Sequence, residues 1–249
     1  DYYLNDIKQS SFYATYVGLD SKGIDSVYQN GPAYHYHSNG NKSWDVFFLN
    51  NVKEGEEKLY YESGSIEKIA VNVNGLFEGN IKYYYESGEL EATKNHFNGV
   101  KQGENFKYFK SGELKLKSNY LNGERVGEVI GYYENGVINF KATYTNNLPE
   151  GEQIFYYESG QKRGVINYVK GFQNGKEIFY FDSGEIEYSL NNINGLSEGQ
   201  QVVYYKSGAI KHTINFVNGL KQGQRIGYYE SGELKYTANY INDLFQGQR

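Results

Sequence analysis

Between residues 31 and 249 the chain alternates apolar and polar positions in short runs, and the runs return with a constant stride. Phe106-Lys107-Tyr108-Phe109, Ile154-Phe155-Tyr156-Tyr157 and Val202-Val203-Tyr204-Tyr205 occupy equivalent places. Short runs this rich in β-branched and aromatic residues, bounded by turn residues, read as strands. Gly40, Gly64, Gly88, Gly112, Gly136, Gly160, Gly184, Gly208 and Gly232 lie 24 residues apart, and a second glycine keeps the same step from Gly31 to Gly247. A fixed period of this size specifies a stacked-repeat architecture.

One repeat, residues 55–78, shows the expected unit. Lys58 to Tyr61 form a β-rich run, Ser63-Gly64 a tight turn, and residues 65–73 a second strand. Asn74-Gly75 and the residues up to Gly79 then turn the chain into the next unit. Two strands joined by a glycine turn make one hairpin per repeat. The fold class is therefore all-β: an elongated array of about nine 24-residue β-hairpin repeats forming a continuous twisted antiparallel sheet. The array covers residues 31–249. Residues 1–30 fit the pattern poorly and read as a degenerate N-terminal cap, in which Asp20-Ser21-Lys22-Gly23-Ile24 imitates the turn.

Alternation also assigns faces. Phe106, Ile130, Ile154, Ile178, Val202 and Ile226 share a side with Tyr108, Tyr132, Tyr156, Tyr180, Tyr204 and Tyr228. In the second strand Ile66, Leu90, Leu114, Ile138, Ile186, Ile210 and Leu234 fall on the side of Tyr120, Tyr144, Tyr168, Phe216 and Tyr240. These make the expected core face, with Leu76, Leu196 and Leu220 available to cover it. Glu67, Glu91, Lys115, Glu187 and Lys211, followed by Asn95, Asn119, Asn167, Asn191, Asn215 and Asn239, make the polar side. The remaining aromatic column, Tyr61, Tyr85, Phe109, Tyr133, Tyr157, Phe181, Tyr205 and Tyr229, is placed on that polar side. One repeat departs: Gln161-Lys162-Arg163-Gly164 replaces the usual start of the second strand, and a bulge at Gly164 is expected.

Composition narrows the function. The net charge is −5 and the pI about 5.5, which leaves no basic footprint for nucleic acid. No apolar run approaches the roughly 20 residues of a membrane-spanning helix, so membrane insertion is not expected. Cysteine is absent, which removes disulfides and thiolate metal sites. Methionine is absent too, even at position 1, and Gly247-Gln248-Arg249 opens a further repeat. The expectation is an exported or cell-envelope protein whose leader has been removed, with a cytoplasmic location as the alternative.

The phrase at Tyr84–Leu90 with Phe97-Asn98-Gly99, and again at Tyr228–Leu234 with Tyr240, resembles the bacterial MORN-type variant repeat known from YwqK-family antitoxins. The likeness runs over about residues 31–249. It implies β-hairpin arrays serving as scaffolds or binding surfaces, a partner protein, and no catalytic motif. A more distant likeness is to the Tyr-rich hairpin repeats of choline- and glucan-binding surface proteins, which depend on Trp; Trp44 is the single one here.

Candidate chemistry is sparse. His35 and His37 alternate on one strand, but no third ligand is spaced to complete a metal site. Glu62, Glu86, Glu134, Glu158, Asp182 and Glu230 recur at one slot, interrupted by Lys110 and Lys206, and read as solvated turn flanks. The Ser-Gly turns lack the surroundings of a nucleophile elbow. No enzyme activity, metal or cofactor is expected. The column from Tyr61 to Tyr229 either packs across strands or binds a partner. The leading function is a scaffold that binds another protein through the sheet face or through the edge strand Lys235–Ile241. The alternative is a glycan- or cell-wall-binding module with sugars stacked on Tyr85, Tyr133, Tyr157 or Tyr205.

Overall fold

In the computed structural model the backbone is described for residues 2–4, 7–19 and 25–247, and side chains for residues 11 and 29–247. Every regular element among them is a β-strand, twenty-one in all, joined by short turns. The chain forms two units, residues 1–124 and 125–249. Within the first, antiparallel pairing proceeds in sequence order from Tyr2–Leu4 to Leu114–Leu121. Within the second it proceeds likewise from Glu124–Tyr132 to Leu244–Phe245. The all-β hairpin-repeat class is the one the sequence specifies. The turn expected at residues 20–24 lies outside the described residues.

The turn chemistry explains why the chain reverses where it does. At the first turn of each hairpin, Gly64 donates its N–H to Tyr61 O at 2.9 Å and Tyr61 N–H to Ser65 O at 2.9 Å. Gly64 takes a φ of 89°, so Glu62-Ser63-Gly64 is a three-residue loop closed by a left-handed glycine. At the other end Asn74 and Gly75 have φ of 51° and 79°, the two-residue turn whose twist matches the flanking strands. The next strand, Leu76–Tyr84, starts at once.

The second glycine series has a different role from the one expected. Gly79 does not belong to a turn; it lies inside the strand with φ of 73°. There the register slips, since Ile69 pairs with Lys82 but Val71 with Glu78. A left-handed glycine at such a slip is a β-bulge, and it recurs in each repeat through Gly223.

A second slip changes the faces. Leu59 pairs with Lys68 while its neighbour Tyr60 pairs with Ile66, leaving Glu67 unmatched. Side chains alternate along a regular strand, so one extra residue reverses parity beyond it. The column Ile66, Leu90, Leu114 therefore joins the Tyr60 side, away from Tyr120, Tyr144 and Tyr168. This corrects the face assignment made from uninterrupted alternation. The same slip recurs at Tyr84, Tyr132, Tyr156, Tyr180, Tyr204 and Tyr228.

The buried side is accordingly the one that carries Tyr120, Tyr144 and Tyr168, and not the one that carries Phe106, Tyr108 and Ile66. Ala70, Ile81, Ala92, Val129, Ala142, Leu190 and Ile214 are buried, together with Glu57, Asn72, Asn105, Ser118, Gln153 and Asn192. All of these fall on the face opposite Tyr60 and Ile66. Phe106, Ile130, Ile154, Ile178, Val202 and Ile226 remain only half-buried. Leu76, Leu196 and Leu220, expected to cover the core, are exposed beside the turns instead.

Large and small side chains alternate across the buried face. Gly131 is paired with Phe140, Phe155 with Gly164, and Gly227 with Tyr236. A Cβ at Gly131 would lie 2.2 Å from the Phe140 ring, and one at Gly227 2.2 Å from Tyr236. Gly164 pairs regularly with both Phe155 and Phe179, so it is no bulge. It is glycine because the Phe179 ring occupies its Cβ space, at 2.7 Å.

Candidate interaction surfaces

The aromatic column singled out by the sequence lies at the hairpin loops. Tyr61, Tyr85, Tyr133, Tyr157 and Tyr205 each donate a hydroxyl to a backbone carbonyl of the following hairpin. The acceptors are Tyr84, Tyr108, Tyr156, Tyr180 and Tyr228 O, at 2.8–2.9 Å. Phe109 and Phe181 supply rings alone. Lys115 lies 5.1 Å from the Phe109 ring, Arg163 5.8 Å from Tyr157, Lys211 5.6 Å from Tyr205 and Lys235 5.1 Å from Tyr229. Burial, with a smaller contribution from Glu67 and other carboxylates, raises the Tyr61 pKa. The rings are half-buried except Tyr229, which is exposed. The column thus staples successive hairpins, and four of its rings carry a cation.

A second tyrosine column was assigned by the sequence to the core face. Tyr36, Tyr60, Tyr84, Tyr108, Tyr132, Tyr156, Tyr180, Tyr204 and Tyr228 recur without a substitution. In the second unit four of the five tyrosines have an aliphatic cross-strand partner, Tyr132 with Ile138, Tyr180 with Ile186, Tyr204 with Ile210 and Tyr228 with Leu234, while Tyr156 is paired with Lys162. Tyr and aliphatic positions so alternate from strand to strand. Ile210, Tyr228 and Gly232 line an open cavity of about 350 Å³. In the first unit Tyr60 donates its hydroxyl to Asp45 Oδ2 at 2.7 Å. The hydroxyls of Tyr132, Tyr156, Tyr180, Tyr204 and Tyr228 have no hydrogen-bond partner among the described residues.

At the opposite edge, flanking the two-residue turns, apolar pairs are left in solvent. Val73 opposite Leu76, Phe97 opposite Val100, Val169 opposite Phe172, Ile193 opposite Leu196 and Val217 opposite Leu220 are all exposed, Phe97 and Phe172 at 60%. Successive turns touch: the Cβ position of Gly99 is 3.3 Å from Leu76, and that of Gly219 3.3 Å from Leu196. The pairs therefore form a ridge within each unit. Sequence alternation hides this ridge, because it places the pairs next to turns that are expected to be polar.

The buried face is polar in places, and among the described residues Arg225 Nε is buried there without a hydrogen-bond partner. Glu57 accepts hydrogen bonds from Trp44 Nε1 at 2.7 Å, Lys53 Nζ at 2.8 Å and Asn72 Nδ2 at 3.0 Å, with Lys68 Nζ 3.9 Å away. Burial pushes its pKa up, but these hydrogen bonds and the Lys68 charge outweigh it and hold the carboxyl below its ordinary value. Glu177 repeats the arrangement with Tyr188 at 2.6 Å and Asn192 at 3.0 Å. At the histidines, His35 lies against Trp44 at 5.0 Å and His37 Nε2 meets Tyr60 O at 2.8 Å. The carboxylates Glu62, Glu86, Glu134, Glu158, Asp182 and Glu230 are exposed on the hairpin loops. Among the described residues no helix is long and apolar enough to cross a membrane.

Residues 53–71, 77–98, 125–146, 149–170 and 221–242 match the family described as MORN repeat variant, which is less than half of the chain. MORN repeats are in general modules for binding protein or membrane. Comparison with curated proteins gives no significant match. Among solved structures, the TcdB2–TccC3 complex is similar over 91% of this chain and 15% of its own, at 12% identity and a TM-score of 0.21. A porin-like protein from Bacteroides uniformis is similar over 90% and 92%, at 9% identity and a TM-score of 0.21. The Photorhabdus luminescens Tc holotoxin pore gives 94% and 14%, at 13% identity and a TM-score of 0.20. The chain thus spans about 15% of the length of the first of these. Likenesses this weak carry no functional argument.

Proposed function

We propose that this chain is a non-enzymatic repeat scaffold whose exposed rows bind another protein. The observation that carries the reading is the ordered exposure of large apolar side chains on sheets whose strands pack chiefly on their sequence neighbours. Water-exposed aliphatic and aromatic rows of this regularity are a feature of interaction surfaces. Five segments matching a repeat used for binding support the same conclusion.

The test is affinity capture with the wild-type chain and with Leu196→Lys plus Leu220→Lys. Both leucines are exposed, so the variant keeps its strand signature by circular dichroism. Loss of the captured protein supports the scaffold reading. Unchanged capture by this variant, and by one altered on the tyrosine face, opposes it. A glycan partner stacked on Tyr157 or Tyr205 would have to displace Arg163 or Lys211 from those rings. Glycan-array binding at millimolar concentration, abolished by Tyr133→Ala, would favour that alternative instead.

A further inference from the structure

We propose that the row formed by Tyr180, Tyr204 and Tyr228 with Ile186 and Ile210 is a docking groove for a proline-rich, cationic segment in the polyproline II conformation. The inference rests on the protein-binding reading above and names the ligand chemistry of one surface.

Three observations converge on it. Neighbouring strands lie about 4.8 Å apart, so tyrosines on alternate strands stand about 9.6 Å apart. A polyproline II helix advances about 9.3 Å per three-residue turn. One turn of such a ligand therefore meets one tyrosine and one aliphatic floor, and the match holds over the two steps from Tyr180 to Tyr228. No regular helix of the α type shares that pitch.

The second observation is chemical. The hydroxyls of Tyr180, Tyr204 and Tyr228 have no partner among the described residues. A polyproline II backbone makes no internal hydrogen bonds, so its carbonyls are free to accept them. Beside the Tyr228 ring, Ile210, Tyr228 and Gly232 line an open cavity of about 350 Å³, space for a pyrrolidine ring against an aromatic wall. Aromatic-lined grooves of this sort are a general means of holding polyproline segments.

Charge supplies the third. The hairpin loop that contributes Gly232 to the cavity also carries exposed Glu230 and Glu233, and the loop beside Tyr180 carries Asp182 and Glu185. A hydrogen bond from Ser183 lowers the Glu185 pKa, which keeps that rim anionic. Lys206 and Lys211 make the loop beside Tyr204 cationic, and Lys235 lies against Tyr229. Lys or Arg on the ligand complements the carboxylates at the Tyr180 and Tyr228 loops, with the step between them supplied by proline alone.

Fluorescence anisotropy with a labelled (Pro-Pro-Lys-Pro-Pro-Pro) repeat peptide of about 15 residues, roughly five turns, tests this on the full chain. Binding is expected, weakened about tenfold or more in the triple variant Tyr180→Phe, Tyr204→Phe, Tyr228→Phe, which keeps the rings and removes the donors. A (Gly-Gly-Lys-Gly-Gly-Gly) peptide of equal charge should bind far more weakly. Equal binding of the two peptides, indifference to the triple variant, or no binding at millimolar peptide would each overturn the proposal. If the peptide fails while Leu196→Lys plus Leu220→Lys still abolishes protein capture, the ligand assignment alone is wrong. If neither effect is seen, the scaffold reading fails with it.

Discussion

A single buried carboxylate shows how this sheet tolerates polar residues on its hidden side. Glu57 is held by Trp44, Lys53 and Asn72, and every one of those donors loses its acceptor if the carboxylate goes. Glu57→Ala should therefore cost about 1–3 kcal/mol, read from urea unfolding; a variant as stable as wild type would mean that water serves these donors equally well. Gly131 makes the complementary case. Its Cβ would fall 2.2 Å from Phe140, so Gly131→Ala forces the ring aside at roughly 1–3 kcal/mol. Phe140→Leu in the same chain should return part of that loss. Additive losses in the double variant would show that the ring is not the cause. The asparagines at the turns were legible from sequence, because Asn-Gly names its own conformation. Glu57 was not, since a glutamate on a strand reads as a solvent-facing residue until its neighbours are known.

At the scale of the hairpin, the two glycine series perform unlike tasks that the stride alone does not separate. Gly223 has open space around its Cβ position and a φ of 79°, so Gly223→Ala tests the backbone alone. A loss of about 1–2 kcal/mol is expected, with Gly223→Asn costing less because Asn tolerates the left-handed region. Equal cost for Ala and Asn would argue for a hidden steric clash. The Tyr61 column makes a second element-level prediction. Tyr133→Phe removes one donor to Tyr156 O and should cost about 0.5–1.5 kcal/mol. Phe109 and Phe181 already occupy this position, so the fold survives the loss. Faster amide exchange confined to the hairpins on either side of Tyr133 would locate the effect. Hairpins, turns and repeat number were readable from the chain; the bulges were not, because a glycine inside a strand and one inside a turn look alike in sequence.

For the molecule as a whole, each strand relies on its sequence neighbours, so damage in one hairpin should spread little. Acid is a more general stress. His212 is partly buried, and that burial, then Arg225 and Lys211, lowers its pKa from 6.5 to about 4. Its folded-state pKa is depressed, so the unfolded chain binds the proton first. The stability it contributes is complete above about 6.5 and is lost as pH falls through about 4. His96, lowered by burial, acts in the same direction. Urea titrations across that window should show a falling midpoint, flattened in His212→Asn; parallel profiles for the two proteins would remove His212 as the source.

The stride, the two turn types and the all-β class follow from the chain alone, because glycine and asparagine at fixed spacing leave the backbone few other conformations. Which side chains are hidden was settled only by the pairing of strands. Side chains change face with each residue, so one unmatched residue per hairpin at Glu67 and its counterparts was enough to move Ile66 away from Tyr120. The same slip left the Tyr60 series on the half-buried face, and with it the candidate groove.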